Sequence, residues 1–146
     1  MSLLSNSRLL VGMQFTAIGL GLFPWLGSEA QLIWAVPGVL GVLVGIYTLA
    51  HNRLGNFGVF PELVNGARLI TSGPYHWVRH PMYLSLLLFM LGAIGYHNMW
   101  LNWLALPLLL LALQGKMNKE EGYLREAFDE YAAYCARSKR LIPFIY

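Results

Sequence analysis

The sequence GPYHWVRHPMY, residues 73–83, runs directly into an apolar stretch at residues 84–96. Pro81 suits the first turn of a helix, because the N–H that proline lacks would have no partner there. The start of a helix carries free N–H groups and a positive dipole end, which attract anions. Arg79 and His80 add positive charge at the same place. The stretch therefore predicts a helix that begins near Pro81, with a binding site for polar groups at its mouth.

The composition indicates a membrane protein. Of the 146 residues, 57% are hydrophobic and 12% are charged, whereas soluble domains carry about a quarter charged residues. Two of the apolar stretches approach the roughly 20 residues that a spanning helix needs. The other two are shorter and are interpreted as a helical hairpin in a locally thinned bilayer or extended by flanking residues. The sequence thus predicts an all-α integral membrane protein, one domain of residues 1–146, with four transmembrane helices at about 9–26, 32–50, 82–96 and 99–113.

The basic residues predict the orientation of these spans. All 10 Lys and Arg residues fall in the N-terminal tail, in the connection at residues 51–80 or after the last span. The turns at residues 27–31 and 96–98 contain none. By the positive-inside rule, both termini and the connection lie in the cytoplasm. The net charge of +3 then favours the anionic headgroups of the bilayer and not nucleic acid.

Two cytoplasmic segments follow from the same topology. The connection at residues 51–80 is rich in glycine and proline but has apolar residues along its whole length, so it lies on the membrane surface or folds back over the helices. A cytoplasmic helix is predicted at residues 119–138. Asn118 would cap its start, and Glu121 would complete a capping box. Its apolar stripe recurs at helical spacing and consists of Leu124, Phe128, Tyr131 and Cys135.

Small and polar residues in the first two spans predict helix contacts. Gly41 and Gly45 form a small-xxx-small face that permits close approach of a second helix. Gln14 and Thr16 are polar enough to face protein and not lipid.

Glu120 is the acidic residue without a capping role, so it is a candidate to accept hydrogen bonds from a ribose or an amine. Tyr75, Trp77 and Tyr83 surround Arg79 and His80 in sequence. These aromatic residues either form an interfacial belt or enclose a planar ring or a sulfonium cation.

No metal site is predicted. His76 and His80 have the i,i+4 spacing of helical metal ligands, but Pro81 disfavours helical geometry at His80 and no third ligand is evident. Cys135 is the single cysteine and offers no ligand spacing.

Two motifs at this separation resemble one known group of proteins. The first is Gly-Pro-Tyr-x3-Arg-His-Pro-Met-Tyr at residues 73–83. After the hairpin follows Glu-Glu-x-x-Leu at residues 120–124, and then Phe128, Tyr131, Tyr134 and Pro143. Over about residues 52–146 the chain resembles an integral membrane methyltransferase superfamily that includes isoprenylcysteine carboxyl methyltransferases and phospholipid N-methyltransferases.

The resemblance implies S-adenosyl-L-methionine as the cofactor, bound at the cytoplasmic face, and a lipophilic small molecule or lipid as the methyl acceptor. It implies Lys116 as the acceptor-binding basic residue. It assigns no catalytic residue, in keeping with an in-line methyl transfer that depends on positioning. The implied cofactor-binding residues are Ala67, Arg68, Leu69, Ile70, Tyr75, His80, Pro81, Met82, Tyr83 and Glu120.

Two alternatives remain at this point. Membrane reductases of the sterol-reductase type share an Arg-His-Pro-x-Tyr-like stretch but bind NADPH. Their Arg-Asp and Cys-x-x-Lys-Tyr signals are missing after the fourth span. The other alternative is a non-enzymatic helical membrane protein in which these residues serve packing and capping alone.

Overall fold

The computed structural model describes residues 6–24, 30–52, 56 and 58–146. The regular structure in these residues is helical, which confirms the predicted all-α class. Short 3-10 turns at Leu32–Trp34 and Gly73–His76 precede helices or connect them. The α-helices are α1 (Ser7–Leu22), α2 (Ala35–His51), α3 (Pro81–His97), α4 (Trp100–Trp103), α5 (Ala105–Ala127) and α6 (Tyr131–Arg137).

Helix α3 begins at Pro81, as predicted. The preceding His80 has φ −123° and ψ 59°, outside the helical region, as expected for a residue before proline. The helix ends at His97, and Asn98 adopts a left-handed conformation with φ 49°. The N–H of Asn98 donates to the carbonyl of Ile94 at 2.8 Å, which satisfies one of the last carbonyls of the helix.

Helices α2 and α3 pack closely through the predicted glycine face. Gly41 and Gly45 are buried, and the Ser85 hydroxyl donates to the Gly41 carbonyl at 2.7 Å. A Cβ atom at Gly41 would lie 2.4 Å from the backbone nitrogen of Phe89. The backbones approach at a distance that only glycine allows, so the packing role predicted for these glycines is confirmed.

Helix α1 lies antiparallel to α5. Near one end, Leu10 packs on Gly115. At the other end, the Asn102 amide donates to the carbonyls of Leu20, Gly21 and Phe23 at 2.9–3.1 Å. This buried asparagine therefore provides the partners that the last turn of α1 lacks. The core between the helices contains Ala17, Met90, Ile94, Ala105, Leu109 and Leu113.

The fourth apolar stretch and the cytoplasmic helix differ from the prediction. Residues 99–113 break at Leu104 into α4 and α5, and α5 then continues without interruption to Ala127. The predicted separate helix at residues 119–138 is therefore wrong, and Asn118 is not its cap. The change from apolar to polar residues near position 115 does not mark the end of a helix. It marks where α5 passes from the apolar core to the part that borders the cavity. Gly115 lies inside α5, and its lack of a side chain leaves room for Leu10, whose Cδ2 would lie 2.5 Å from a Cβ atom there.

A second correction concerns the end of the same segment. Phe128 is extended, with φ −135°, and its N–H donates to the carbonyl of Leu124. Helix α6 begins only at Tyr131. The apolar stripe is thus divided between two helices, and α6 can turn its tyrosines towards the connection.

The connection folds back over the helices, which is one of the two arrangements expected for it. The Val59 carbonyl accepts from the Lys116 ammonium at 2.8 Å, and Glu62 contacts Ser7 and Lys119. Residues 53–55 and 57 of the connection lie outside the described residues, as do residues 25–26 of the first predicted span.

One helical segment of the described residues, Leu32–His51, is long and apolar enough to cross a membrane, with 20 residues and a mean hydropathy of 2.1. Helices α1 and α3 are apolar but shorter, with 16 and 17 residues. The start of α1, the end of α2 and the start of α3 lie at the same end of the molecule, beside the C-terminal half of α5. The contacts that establish this are Ser7 with Lys119, His51 with Ser72, and His80 with Glu120.

Candidate functional site

A cavity of about 170 Å³ lies at this end, between the connection, the start of α3 and the polar part of α5. All ten residues predicted to bind a cofactor line it, although they come from three separate parts of the sequence. Tyr131 and Tyr134 of α6 and apolar residues of the connection complete its wall. The structure brings the predicted residues together, and their role in binding stays a prediction. The ten are Ala67, Arg68, Leu69, Ile70, Tyr75, His80, Pro81, Met82, Tyr83 and Glu120.

Glu120 lies on this wall with its carboxylate held by two residues of the 73–83 stretch. The Tyr83 hydroxyl donates to one carboxylate oxygen, and Nδ1 of His80 lies 3.3 Å from the other. The rings of His80 and Tyr83 stack, with centroids 5.5 Å apart and an interplanar angle of 14°. A carboxylate has about four lone-pair sites, so Glu120 keeps acceptor capacity for a bound ligand.

Glu121 is the centre of a buried ion cluster. Its side chain is 7% exposed, and Oε1 lies 3.2 Å from Nε of Arg79, 3.1 Å from Nε2 of His80 and 3.0 Å from Nε of Arg140. The interpretation of Glu121 as part of a capping box is wrong, because the residue lies in the middle of α5. Adjacent helical residues point in different directions, so Glu120 and Glu121 reach the two ring nitrogens of His80. Sequence reasoning missed this role, although the adjacent pairs 79–80 and 120–121 were its signal.

The charges of this cluster stabilise one another. Burial alone would raise the pKa of Glu121, but the hydrogen bond and charge of His80 and the guanidinium groups of Arg140 and Arg79 lower it to about 2. Burial opposes the charged form of His80, yet the hydrogen bonds to Glu120 and Glu121 outweigh it and raise the pKa of this imidazole. Each ring nitrogen of His80 faces one carboxylate, and the raised pKa favours the imidazolium form, which can donate to both.

Arg79 is held by the protein itself. Its guanidinium donates to the carbonyls of Ser138 at 2.8 Å and Cys135 at 3.4 Å, at the end of α6, in addition to Glu121. The expectation that Arg79 and His80 supply positive charge for an incoming anion needs correction, because Glu120 and Glu121 already balance that charge. Arg79 connects α5, α6 and the start of α3, and so fixes the shape of the cavity.

Lys116 lies behind the cavity and is not one of the residues that line it. Its side chain is buried, and the ammonium donates to Gln14 at 2.7 Å and to the Val59 carbonyl at 2.8 Å. It also lies 5.3 Å from the centroid of the Tyr83 ring. Burial lowers the pKa of Lys116, and the charges of Glu120 and Glu62 oppose that shift. Gln14 thus faces protein as predicted.

Thr16 is exposed, so the prediction that it faces protein is wrong. The helix turns its apolar neighbour Ala17 inwards instead.

Two asparagines that sequence reasoning missed also line the cavity. The side-chain amide nitrogen of Asn52 donates to the Tyr75 hydroxyl at 2.9 Å, and that of Asn56 donates to the side-chain oxygen of Asn52 at 3.1 Å. The Tyr134 hydroxyl donates to the Tyr75 backbone carbonyl at 2.7 Å. The spacing of four between the asparagines, at the end of an apolar span, is a signal in the sequence for this pair.

Among the described residues, no group of three or more His, Cys, Asp or Glu side chains is close enough to hold a metal ion. His76 is exposed, whereas the ring of His80 faces two carboxylates. The two histidines do not converge on one point.

The phospholipid methyltransferase family matches residues 32–131 of the chain, which include every residue that lines the cavity except Tyr134. The chain belongs to this family. Protein-S-isoprenylcysteine O-methyltransferase from Saccharomyces cerevisiae is 34% identical over 130 residues, which are 81% of this chain and 52% of that protein. The cobalt-zinc-cadmium resistance protein CzcN from Cupriavidus metallidurans is 38% identical over 77 residues, which are 51% of this chain and 35% of that protein.

The resemblance inferred from the two motifs is thereby confirmed. The chain spans about half the length, or less, of these relatives. Family membership and the apolar segment Leu32–His51 together indicate association with a membrane.

Proposed function

We propose that the chain transfers the methyl group of S-adenosyl-L-methionine to a lipophilic, membrane-associated acceptor. The observation that carries this proposal is the convergence of the ten predicted cofactor residues on one cavity. The family match and the similarity to an O-methyltransferase give further support.

The residues of the cavity have the chemistry that this cofactor needs. The carboxylate of Glu120 would accept hydrogen bonds from the ribose hydroxyls, and Tyr75 would donate one. Aromatic rings, which attract cations and planar bases, come from Tyr83, Tyr131 and Tyr134. When bound, S-adenosylmethionine supplies an electrophilic methyl group on a sulfonium sulfur. The protein contributes position and exclusion of water.

His80 and Tyr83 perform that positioning through Glu120. Both contact its carboxylate, and the neighbouring Glu121 favours the charged form of His80. The role of the ion cluster is therefore to fix the direction of an acceptor group without consuming all its lone pairs. No proton transfer by these residues is required.

A lipophilic acceptor fits the other part of the wall. Outside the ten predicted cofactor residues, the cavity is lined by apolar side chains of the connection and of α5, namely Phe60, Leu63, Val64 and Leu124. We propose that the polar cofactor enters from water and the acceptor from the bilayer. Lys116 lies behind Tyr83 and donates to the Val59 carbonyl. We propose that it binds the acceptor on the side of the cavity next to α1.

The topology belongs to the same proposal. α1, α2, α3 and the apolar part of α5 would cross the membrane, as the predicted four spans require. The cavity then lies on the side that carries the basic residues, which the positive-inside rule assigns to the cytoplasm. Both termini would lie on that side.

The experiment that tests the function measures formation of S-adenosylhomocysteine from S-adenosylmethionine by mass spectrometry. The purified chain is placed in lipid vesicles, with and without an added isoprenylcysteine analogue or an amine-headed phospholipid. We expect S-adenosylhomocysteine to form only when one of these acceptors is present, and we expect Glu120→Ala to abolish its formation. Glu126→Ala is the matched control, because Glu126 lies exposed on the same helix. Oxidation of NADPH without any S-adenosylhomocysteine would contradict the proposal and favour a membrane reductase.

A further inference from the structure

We infer that Asn52 and Asn56 are positioning residues that hold Tyr75 as a hydrogen-bond donor towards the ligand in the cavity. The inference rests on the proposed function and specifies how the site distinguishes donor from acceptor atoms. It follows from a chain of hydrogen bonds that begins at the backbone of Arg68 and ends at the Tyr75 hydroxyl.

The orientation of Asn56 is fixed by the backbone of Arg68. The Asn56 side-chain oxygen accepts from the Arg68 N–H at 2.9 Å, and the Asn56 amide nitrogen donates to the Arg68 carbonyl at 3.0 Å. Backbone N–H and C=O groups cannot exchange roles, so only one orientation of this carboxamide satisfies both contacts. The amide group of Asn56 therefore has a defined direction.

The fixed Asn56 amide group in turn sets the orientation of the Asn52 side chain. The Asn56 amide nitrogen also donates to the Asn52 side-chain oxygen at 3.1 Å. Asn52 must then use its own amide nitrogen towards Tyr75, at 2.9 Å from the hydroxyl oxygen. Asn52 is only 8% exposed, so water does not compete freely for this contact.

The Tyr75 hydroxyl is left with a proton to donate. Its oxygen accepts from Asn52, and a phenol has one O–H that must find another acceptor. Burial, together with the charge of Glu120 and against the hydrogen bond from Asn52, raises the pKa of Tyr75 to about 12, so the phenol stays protonated. The Tyr134 hydroxyl fixes the Tyr75 carbonyl at 2.7 Å, which holds the residue from its backbone as well.

The cavity thus presents one fixed donor, Tyr75, and one fixed acceptor, Glu120. A ligand atom that faces Tyr75 must be an acceptor, such as a carboxylate oxygen, a ring nitrogen or a ribose oxygen. A ligand that offers an N–H or a cation at that position would leave the phenol proton unpaired, which is costly in a buried site.

The test is calorimetric titration of the full chain, in lipid nanodiscs, with S-adenosylhomocysteine. Tyr75→Phe removes the donor. Asn52→Asp keeps the shape of the side chain but offers only acceptors, so it would capture the Tyr75 proton. We expect each variant to bind roughly fivefold to tenfold more weakly, the loss of about one neutral hydrogen bond. Asn65→Asp, the same change at an exposed position of the connection, should bind as the wild-type chain does.

The double variant separates positioning from a merely structural role. If Asn52 acts through Tyr75, the Asn52→Asp change has no further effect on affinity in the Tyr75→Phe background. Should Asn52→Asp fail to fold, Asn52→Ala is tested in the same cycle with the same expectation. This inference alone would be overturned if the affinity losses of the Asn52 and Tyr75 variants multiplied in the double variant. It would also be overturned if a folded Asn52 variant bound with wild-type affinity. Failure of the wild-type chain to bind S-adenosylhomocysteine would overturn the proposed function and this inference with it.

Discussion

Glu120 and Glu121 are neighbours in sequence, but their surroundings assign them different roles. Glu120 lies on the wall of the cavity, and its side chain is 22% exposed. Glu121 is buried among Arg79, His80 and Arg140. One carboxylate is open to a ligand, and the other balances the charges that hold the site together.

The first prediction is that Glu121→Gln destabilises the protein. The change removes the carboxylate charge that Arg79, His80 and Arg140 share, and the loss of one partner from such a cluster costs on the order of 3 kcal/mol in the free energy of unfolding. Glu126→Gln, at an exposed position of the same helix, should change it by less than about 0.5 kcal/mol. Thermal unfolding in detergent measures both. Equal stability of the two variants would show that the cluster contributes nothing to the fold.

The second prediction is a maximum of stability between acidic and alkaline pH. The folded pKa of Glu121 is about 2, below the ordinary 4.5, so its stabilising contribution is complete above about pH 4.5 and is lost as the pH falls towards 2. The pKa of His80 is raised above 6.5, so its contribution is complete below that value and is lost as the pH rises through the raised pKa. Melting temperatures measured across pH should show both losses. In Glu121→Gln the fall in melting temperature at acidic pH should be much smaller. An unchanged fall would contradict the assignment of this pH dependence to Glu121.

At the scale of elements, the pair α2 and α3 positions the two segments that reach the cavity. Asn52 follows directly after α2, and His80 directly precedes α3. Close packing at Gly41 and Gly45 fixes the distance between them. The glycine contact in the apolar part of the protein therefore determines geometry at the polar end.

The third prediction compares two glycines. Gly41→Ala places a Cβ atom 2.4 Å from the backbone nitrogen of Phe89, whereas a Cβ atom at Gly12 of α1 meets nothing within 4 Å. We expect Gly41→Ala to lower the free energy of unfolding by about 1–3 kcal/mol through overpacking. Gly12→Ala should leave it unchanged or raise it by up to about 1 kcal/mol through helix propensity. Unfolding of the two variants under the same conditions checks this, and equal effects would contradict the packing.

The sequence predicted the apolar helices well and the polar ones poorly, for a physical reason. Apolar runs and Pro81 mark α2 and α3 to within a few residues. The change from apolar to polar residues near position 115 hides the continuation of α5 to Ala127, because that change was interpreted as the end of a span. The site was predicted from its motifs, because these residues are adjacent in sequence or recur at a typical separation. Asn52, Asn56 and the ion cluster around Glu121 were missed, since their roles depend on which side chains meet in three dimensions.

At the scale of the whole molecule, the cavity and its ion cluster lie at one end, and large apolar side chains are exposed along the helices. Large exposed apolar residues follow α2 along much of its length, among them Val39, Leu43 and Ile46. This distribution suits a helical protein embedded in lipid, with its cavity at the boundary with water.

The fourth prediction concerns orientation. In a Cys135→Ser background, Glu130→Cys should be labelled by a membrane-impermeant maleimide from the cytoplasmic side, and Trp100→Cys from the opposite side. Both positions are exposed. Labelling in sealed vesicles of known orientation measures this. Labelling of both positions from the same side would contradict the four-span topology.

The assignment of the cavity as a methyl-donor site is tested by calorimetric titration of the detergent-purified chain with S-adenosylhomocysteine, with NADPH titrated alongside. We expect micromolar binding of S-adenosylhomocysteine, lost in His80→Ala and in Glu120→Ala and kept in Glu126→Ala. Binding of NADPH alone, or full binding of S-adenosylhomocysteine by both site variants, would contradict the assignment of this cavity as a methyl-donor site.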